Sequence, residues 1–306
     1  MVPKRALLIV NRKSRSGTSD IEAAVSRLKE AGTRVIACRI DSADEIPQRI
    51  RLHAENVDCV IVGGGDGTLN AAAQVLMETR LPLGVLPMGT ANDLARTLKI
   101  PTDLAQASDV INSGLLHRID LGCVNGHYFF NVANIGLGVH VKQFLSSELK
   151  QRWGVFSYAY SLFKAMKSFR PFHADIECDG RRFRVRSIQI AVGNGRHYGG
   201  GMTIAETASI DDHCFFLYSI EPLSLWELVR VAPALRSGRF EERHPVDLAQ
   251  GRHIRVTTRK AMVVTADGET VTRTPAEFDM KAGALSVFVP ADYFDDRQEI
   301  RHAAQR

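Results

Sequence analysis

Paired cysteines, long apolar runs and a strong charge of either sign are all missing from this sequence, and each absence removes a class of protein. Its five cysteines, Cys38, Cys59, Cys123, Cys178 and Cys214, are odd in number and show no C-x-x-C spacing. That argues against a disulfide framework or zinc knuckle and points to a reducing compartment. Thirty-nine basic against 34 acidic residues leave a net charge of only +5, a weak pull toward anionic partners. Basic helices, RNP-type strings and interleaved aromatic platforms are absent, so nucleic acid is not an expected partner. Residues 121–141 lack Asp, Glu, Lys and Arg, yet Asn125, His127, Asn131, Asn134, His140 and four glycines interrupt them. No transmembrane segment is expected there. The N-terminus has a positive start but only about five apolar residues and no small-residue cleavage site, which predicts a cytoplasmic protein without an export signal.

What is present is a composition near the globular average, 45% hydrophobic and 24% charged, over 306 residues. That length predicts two domains. Up to residue 116 short apolar runs alternate with helical patterns. Strands are expected at residues 6–10, 35–38, 57–62 and 81–86. Ser19 with Glu22 and Ser42 with Glu45 read as capping boxes, and a helix is expected over 68–78. This alternation predicts a parallel, helix-covered sheet. Beyond Asp120 strand signals crowd together. Folding residues 175–192 at Asp179-Gly180 sets Asp175 opposite Arg184, Glu177 opposite Arg182 and Ile176 opposite Phe183. Further strands are expected at 215–220, 254–258, 262–265 and 285–289, and one amphipathic helix at 150–169. The expected organisation is an α/β domain over 1–120, an all-β sandwich over 121–290, and a tail, 291–306, that joins the first domain.

Two glycine-containing strings follow strands of the first half. GGGDGTLN at 63–70 leads from a strand into a helix, where glycines let a backbone approach an anion and N-terminal amides face it. Asp66 would repel a phosphate there unless a cation lay between them, so magnesium is implied. LPMGTANDLAR at 86–96 follows the next strand and offers the Thr90 hydroxyl, the Asp93 carboxylate and the Arg96 cation. Parallel sheets bind ligands at the carboxyl ends of their strands, so the two strings would form one site. On residues alone, Asp267-Gly268-Glu269 reads as a hairpin turn.

With GGGDGTLN and LPMGTANDLAR the sequence resembles the diacylglycerol kinase catalytic-domain family, which includes bacterial lipid kinases and the related sphingosine kinases. VNRKSRSG at 10–17, IDLG at 119–122, YGGGMTIAETASIDDHCF at 198–215 and ADGETVTRTP at 266–275 continue the likeness in order along most of the chain. The resemblance implies a Rossmann-like first domain of the NAD-kinase kind, a sandwich second domain, and an active site between them. It implies an ATP- and Mg2+-dependent kinase for a lipid hydroxyl, most simply that of diacylglycerol or a glycerolipid such as phosphatidylglycerol. By the same resemblance, ATP would be held by Asn11, Ser16 and Gly17, by Gly64, Gly65, Asp66, Gly67, Thr68, Leu69 and Asn70, and by Thr90, with the Arg96 cation beside it. Glu269 would accept the proton, Asp267 would be a neighbouring essential carboxylate, and Asp66, Asp93 and Asp120 would organise magnesium and water. A separate structural magnesium would sit on the Asp212 carboxylate and the Ser209 and Cys214 carbonyls. The chain departs from the family pattern with Arg12-Lys13 in the first loop, around Asp41, and with His213 where glycine is usual. The partner implied is a lipid at the inner membrane face, reached peripherally, and a homodimer is compatible. The alternatives are an NAD-kinase-like enzyme with a soluble substrate and a catalytically silent nucleotide- or lipid-binding regulator.

Overall fold

The structure is a computed structural model and describes residues 2–11, 18–137, 139, 170–194, 197–198, 202–203, 209–222 and 246–294. The first half alternates as expected: β1 (Arg5–Asn11), α1 (Thr18–Glu30), β2 (Arg34–Ile40), α2 (Ile46–His53), β3 (Cys59–Gly64), α3 (Asp66–Thr79), β4 (Leu83–Pro87), α4 (Asp93–Thr97) and α5 (Leu104–Ser113). There follow β5 (Leu116–Val124), β6 (His127–Phe129), β7 (Val132–Gly136), β8 (Phe172–Cys178), β9 (Arg181–Ser187) and β10 (Gln189–Gly193). The chain continues through a short ribbon of β11 (His197–Tyr198) and β12 (Met202–Thr203), then β13 (Phe215–Ile220), β14 (Val246–Gly251), β15 (His253–Thr258), β16 (Val263–Ala266), β17 (Glu269–Arg273) and β18 (Ala276–Phe288). The helix expected at 150–169 lies outside the described residues.

β1, β3 and β4 are continuous apolar runs because parallel strands under helices are buried on both faces. Every residue of β3 and β4 is buried, and Leu8 sits between Ala37 and Ile61 in the parallel register. The first sheet runs β2-β1-β3-β4-β18-β15-β8-β9, with β5 on β18 and β6 on β5. A second, antiparallel sheet runs β14-β13-β10-β7-β16-β17. Between them lies a second core of Ile135, Val192, Leu217, Ile176 and Val256. Phe215 is its pivot, stacking on Phe129 at 5.9 Å and meeting Phe278 edge-on at 6.5 Å. The expected architecture, an α/β first part and an all-β sandwich, is the one observed.

β18 belongs to both parts. Its first half pairs with β5 and β15, the register shifts between Lys281 and Leu285 around Gly283 at φ +52°, and Val287 then pairs parallel with Leu83 of β4. Leu285, Val287, Phe288, Val289 and Tyr293 accordingly lie in the first core. The boundary expected at residue 120 falls inside β5. Helix α1 begins at Thr18, so Ser19 lies within it, while the Ser42 and Glu45 capping box forms as read and caps a single 3-10 turn ahead of α2. The register expected for residues 175–184 is observed, with Arg184 Nε at 2.6 Å from Asp175 and Arg182 Nε at 3.0 Å from Glu177. β10 leaves that hairpin for the second sheet at Ser187, whose hydroxyl accepts the Gln189 N–H at 3.1 Å.

Three hairpins turn on a residue and a glycine both at positive φ: Asn125-Gly126 (48°, 87°), Asp179-Gly180 (45°, 84°) and Asp267-Gly268 (45°, 83°). Positive φ at both positions matches the strand twist, and Asn, Asp and Gly adopt it at least cost. In the second of these the Asp179 carboxylate accepts N–H groups of His253 at 2.9 Å and Arg252 at 3.0 Å. The His253 amide foremost holds the Asp179 carboxyl below its ordinary pKa. A lowered folded pKa contributes stability above the unfolded value of roughly 3.9, and loses it as pH falls through the folded value. Asp179→Asn keeps the turn and removes the charge. In urea titrations it should cost less than about 1 kcal/mol at pH 7, because solvent screens this site, and the difference from wild type should vanish in acid.

Candidate active site

Gly63 and Gly64 end β3, Gly65 alone makes the turn, and α3 starts at Asp66. A Cβ on Gly64 would lie 2.6 Å from the Thr68 side chain, and one on Gly89 would lie 2.6 Å from Gly65 Cα. The two glycine strings therefore touch backbone to backbone, with Met88 N–H donating to Gly64 O at 2.9 Å. Asp66 ties them again by accepting the Leu94 N–H at 3.2 Å. Asn92, at φ +49°, folds the second string by accepting the Gly89 N–H at 2.9 Å and donating to Gly89 O at 3.2 Å. Nothing stands within 4 Å of the Cβ position of Gly67, so the first turn of α3 faces open space.

That space is a cleft of about 630 Å³, a usual size for a small-molecule site. Gly65, Gly67, Thr68 and Asn70 line one side of it, while Glu269 and Val271 of β17 and the Gly126-His127-Tyr128 tip of the β5–β6 hairpin line the other. Glu269 and the Gly65 turn, 204 residues apart in sequence, thus face one space. Asn11 stands behind the Thr68 wall, its Nδ2 3.5 Å from Thr68 Oγ1. Thr90 and Arg96 are exposed on the second string, the Arg96 guanidinium donating to Ala91 O at 3.3 Å. The Leu69 side chain points into the first core and Asp93 is buried at the start of α4. Ser16 and Gly17 lie outside the described residues.

Asp267 stands two residues before Glu269, and its carboxylate accepts three successive amides: Phe130 N–H at 2.7 Å, Asn131 at 3.0 Å and Val132 at 3.1 Å. Burial pushes its pKa up to about 6 against the pull of those amides, and the Asp66 charge adds to the rise. A buried carboxylate raised by the charge of a second is the arrangement a hard divalent cation relieves, and magnesium is commonly held by one or two carboxylates with phosphate oxygens and water. Among the described residues no three His, Cys, Asp or Glu side chains converge as a closed metal cage, which such a site does not need. The donors fit magnesium.

Asp120 lies elsewhere, fully buried beneath the 209–214 turn. It accepts the His213 N–H at 2.7 Å, contacts His213 Nδ1 at 2.9 Å and accepts the Gly283 N–H at 2.6 Å. His213 takes φ +63°, a left-handed conformation that its two bonds to Asp120 hold. Asp212 accepts the Ser209 N–H at 2.8 Å and the Cys214 N–H at 3.1 Å. Its carboxyl is pushed up to about 6, first by burial, with the Asp120 charge adding. The Ser209 carbonyl in turn accepts the Asp212 N–H at 3.3 Å, so the turn is closed by its own hydrogen bonds. The sequence reading missed the His127-Tyr128 wall, for which Asn125-Gly126 was the available signal, and Asn194, for which there was none.

Residues 5–124 match the family described as diacylglycerol kinase catalytic domain, and residues 131–289 the one described as YegS C-terminal NAD kinase beta sandwich-like domain. The chain is 30% identical over 298 residues to a diacylglycerol kinase of Staphylococcus aureus, covering 96% of this chain and 95% of that one. It is 33% identical over 246 residues to the diacylglycerol kinase of Bacillus subtilis, covering 78% and 81%. A crystal structure of a diacylglycerol kinase from Bacillus anthracis has the same fold, with a TM-score of 0.79 at 24% identity over 95% of this chain and 99% of that one.

The contact between the two glycine strings has a measurable consequence. Gly89→Ala drives a methyl group into Gly65 and should cost about 1–3 kcal/mol in urea denaturation, as overpacking does. Gly67→Ala, in open space within a helix, should be neutral or stabilising by up to about 1 kcal/mol.

Proposed function

The chain belongs to the diacylglycerol kinase family and is a kinase, and from that premise we propose that it transfers the γ-phosphoryl group of ATP to the hydroxyl of diacylglycerol or a closely related glycerolipid, with magnesium. The observation that carries the reading is the shared cleft, with the glycine turn on one side and Glu269 on the other. In phosphoryl transfer the protein contributes mainly position and charge. The Asp66 and Gly67 amides that open α3 face the nucleotide phosphates, while the Thr68 N–H already donates to Gly65 O at 2.9 Å. The open space at Gly67 gives them room to approach. Asn11 and Thr68 shape the phosphate end, and Thr90 and Arg96 border the second string. Asp66 and Asp267 hold the catalytic magnesium, with Asp93 beside them. When bound, this ion neutralises charge on the phosphate oxygens.

Glu269 takes the proton of the lipid hydroxyl as its oxygen bonds to the γ-phosphorus and the bond to the ADP oxygen breaks. Such general-base help supplies roughly 10²–10⁴ in rate. Asp212, with the Ser209 and Cys214 carbonyls, would hold a second, structural magnesium. The acceptor resides in a bilayer and no described helix is long and apolar enough to cross one. In this reading the enzyme reaches its acceptor by transient contact with the membrane surface.

The test uses radiolabelled ATP with micelles of diacylglycerol or phosphatidylglycerol, and NAD in parallel. Label should enter diacylglycerol, and Glu269→Gln should lower kcat at least about 100-fold while nucleotide affinity stays within about twofold. Label confined to NAD would overturn the lipid assignment, and a fully active Glu269→Gln would overturn the base.

A further inference from the structure

We infer that Asn194 is a positioning residue of the catalytic hairpin, a role resting on the kinase reading above. Its evidence is a closed set of bonds around residues 130–132. The three N–H groups of Phe130, Asn131 and Val132 go to the Asp267 carboxylate, and Val132 O accepts the Asp267 N–H at 2.9 Å. The two remaining carbonyls go to Asn194: Phe130 O accepts its side-chain Nδ2 at 2.8 Å, and Asn131 O accepts its backbone N–H at 2.7 Å. All six peptide groups of the tripeptide are thus held by two residues, Asp267 and Asn194. The second Asn194 side-chain donor goes to Asp120 O at 3.0 Å, on the strand whose carboxylate fastens the 209–214 turn.

Asn194 is 1% exposed, and its side-chain oxygen has no hydrogen-bond partner among the described residues. Burying an unpaired amide oxygen is unfavourable, so an apolar residue would serve a merely packed position better. What asparagine adds is the forked pair of donors. They join three pieces: β5 at Asp120, the tripeptide that continues the cleft wall of His127 and Tyr128, and, through Asp267, the turn that presents Glu269. The nucleotide turn at Gly65 touches none of these bonds. Loss of the fork frees the tripeptide, loosens its grip on Asp267, and lets Glu269 drift from the position fixed by the opposite wall. Misplacement of about 1 Å can cost about 100-fold in rate.

The role predicts a split. Asn194→Ala should lower kcat for lipid phosphorylation about 10- to 100-fold, while the affinity for ATP without magnesium, read by calorimetry, stays within about twofold. Asn194→Asp has the same shape but, ionised, no donor; protonated, it regains one O–H donor. Its kcat relative to wild type should rise as pH is lowered from 8 to 6. A kcat within twofold of wild type in Asn194→Ala, a matching loss of ATP affinity, or an Asn194→Asp ratio that does not rise in acid would each overturn the inference. Amide exchange of the wild type guards against variants that do not fold, since the amides of Phe130, Asn131 and Val132 should be among the slow ones, and rapid exchange there overturns the closed bond set. A wild type that phosphorylates no lipid defeats the kinase reading instead, and the exchange rates alone then decide whether the bond set stands.

Discussion

One strand carries the geometry of the whole molecule. The first half of β18 is an antiparallel strand of the sandwich and its last residues are a parallel strand of the nucleotide-type sheet. Its side chains divide likewise, Phe278 to the second core and Leu285, Val287 and Phe288 to the first. A hinge between the halves would have to break a sheet ladder and open two cores together, and close-packed interiors do not deform smoothly. The cleft walls are therefore held at a set separation by hydrogen-bonded backbone rather than by a linker. At the shift in β18, the amide of Gly283 is taken by buried Asp120, so the bend in the shared strand and the 209–214 turn are secured by one carboxylate.

Within the cleft, charge is managed in pairs of opposite character. Asp267 is clothed in three amides yet still raised by burial and by Asp66, whereas Asp66 itself also caps the neighbouring string through the Leu94 N–H. One carboxylate builds the hairpin and the other joins the two glycine strings. Both residues are scaffold as well as charge. Their replacement removes a scaffold together with a charge.

Much of the first half was legible because its signals are local. A strand followed by glycines and a helix can fold in few ways, and the rule that parallel sheets bind at their carboxyl ends put GGGDGTLN beside LPMGTANDLAR before any coordinates. The Asp175 to Arg184 register followed from one turn dipeptide and period-2 alternation. What escaped reading is what distant segments make together. The bonds from Asp267 to residues 130–132 span 135 to 137 positions, and Glu269, on residues alone, was the end of a hairpin turn. It was that, and only the fold brought it over the glycine turn. The sharing of β18 was hidden for the same reason, since its apolar residues alternate alike whichever core they enter.

The arginine-rich strand β9 has one more consequence. It is the last strand of the larger sheet among the described residues, and a terminal strand offers its unpaired backbone groups to any passing chain. Arg182 and Arg184 keep their acidic partners on β8 in register, so each is extended along the edge by an ion pair rather than free to fold away. A second copy approaching to lengthen the sheet would bring its own arginines against them. The edge is guarded by like charge, and the sheet stops growing where the fold needs it to stop.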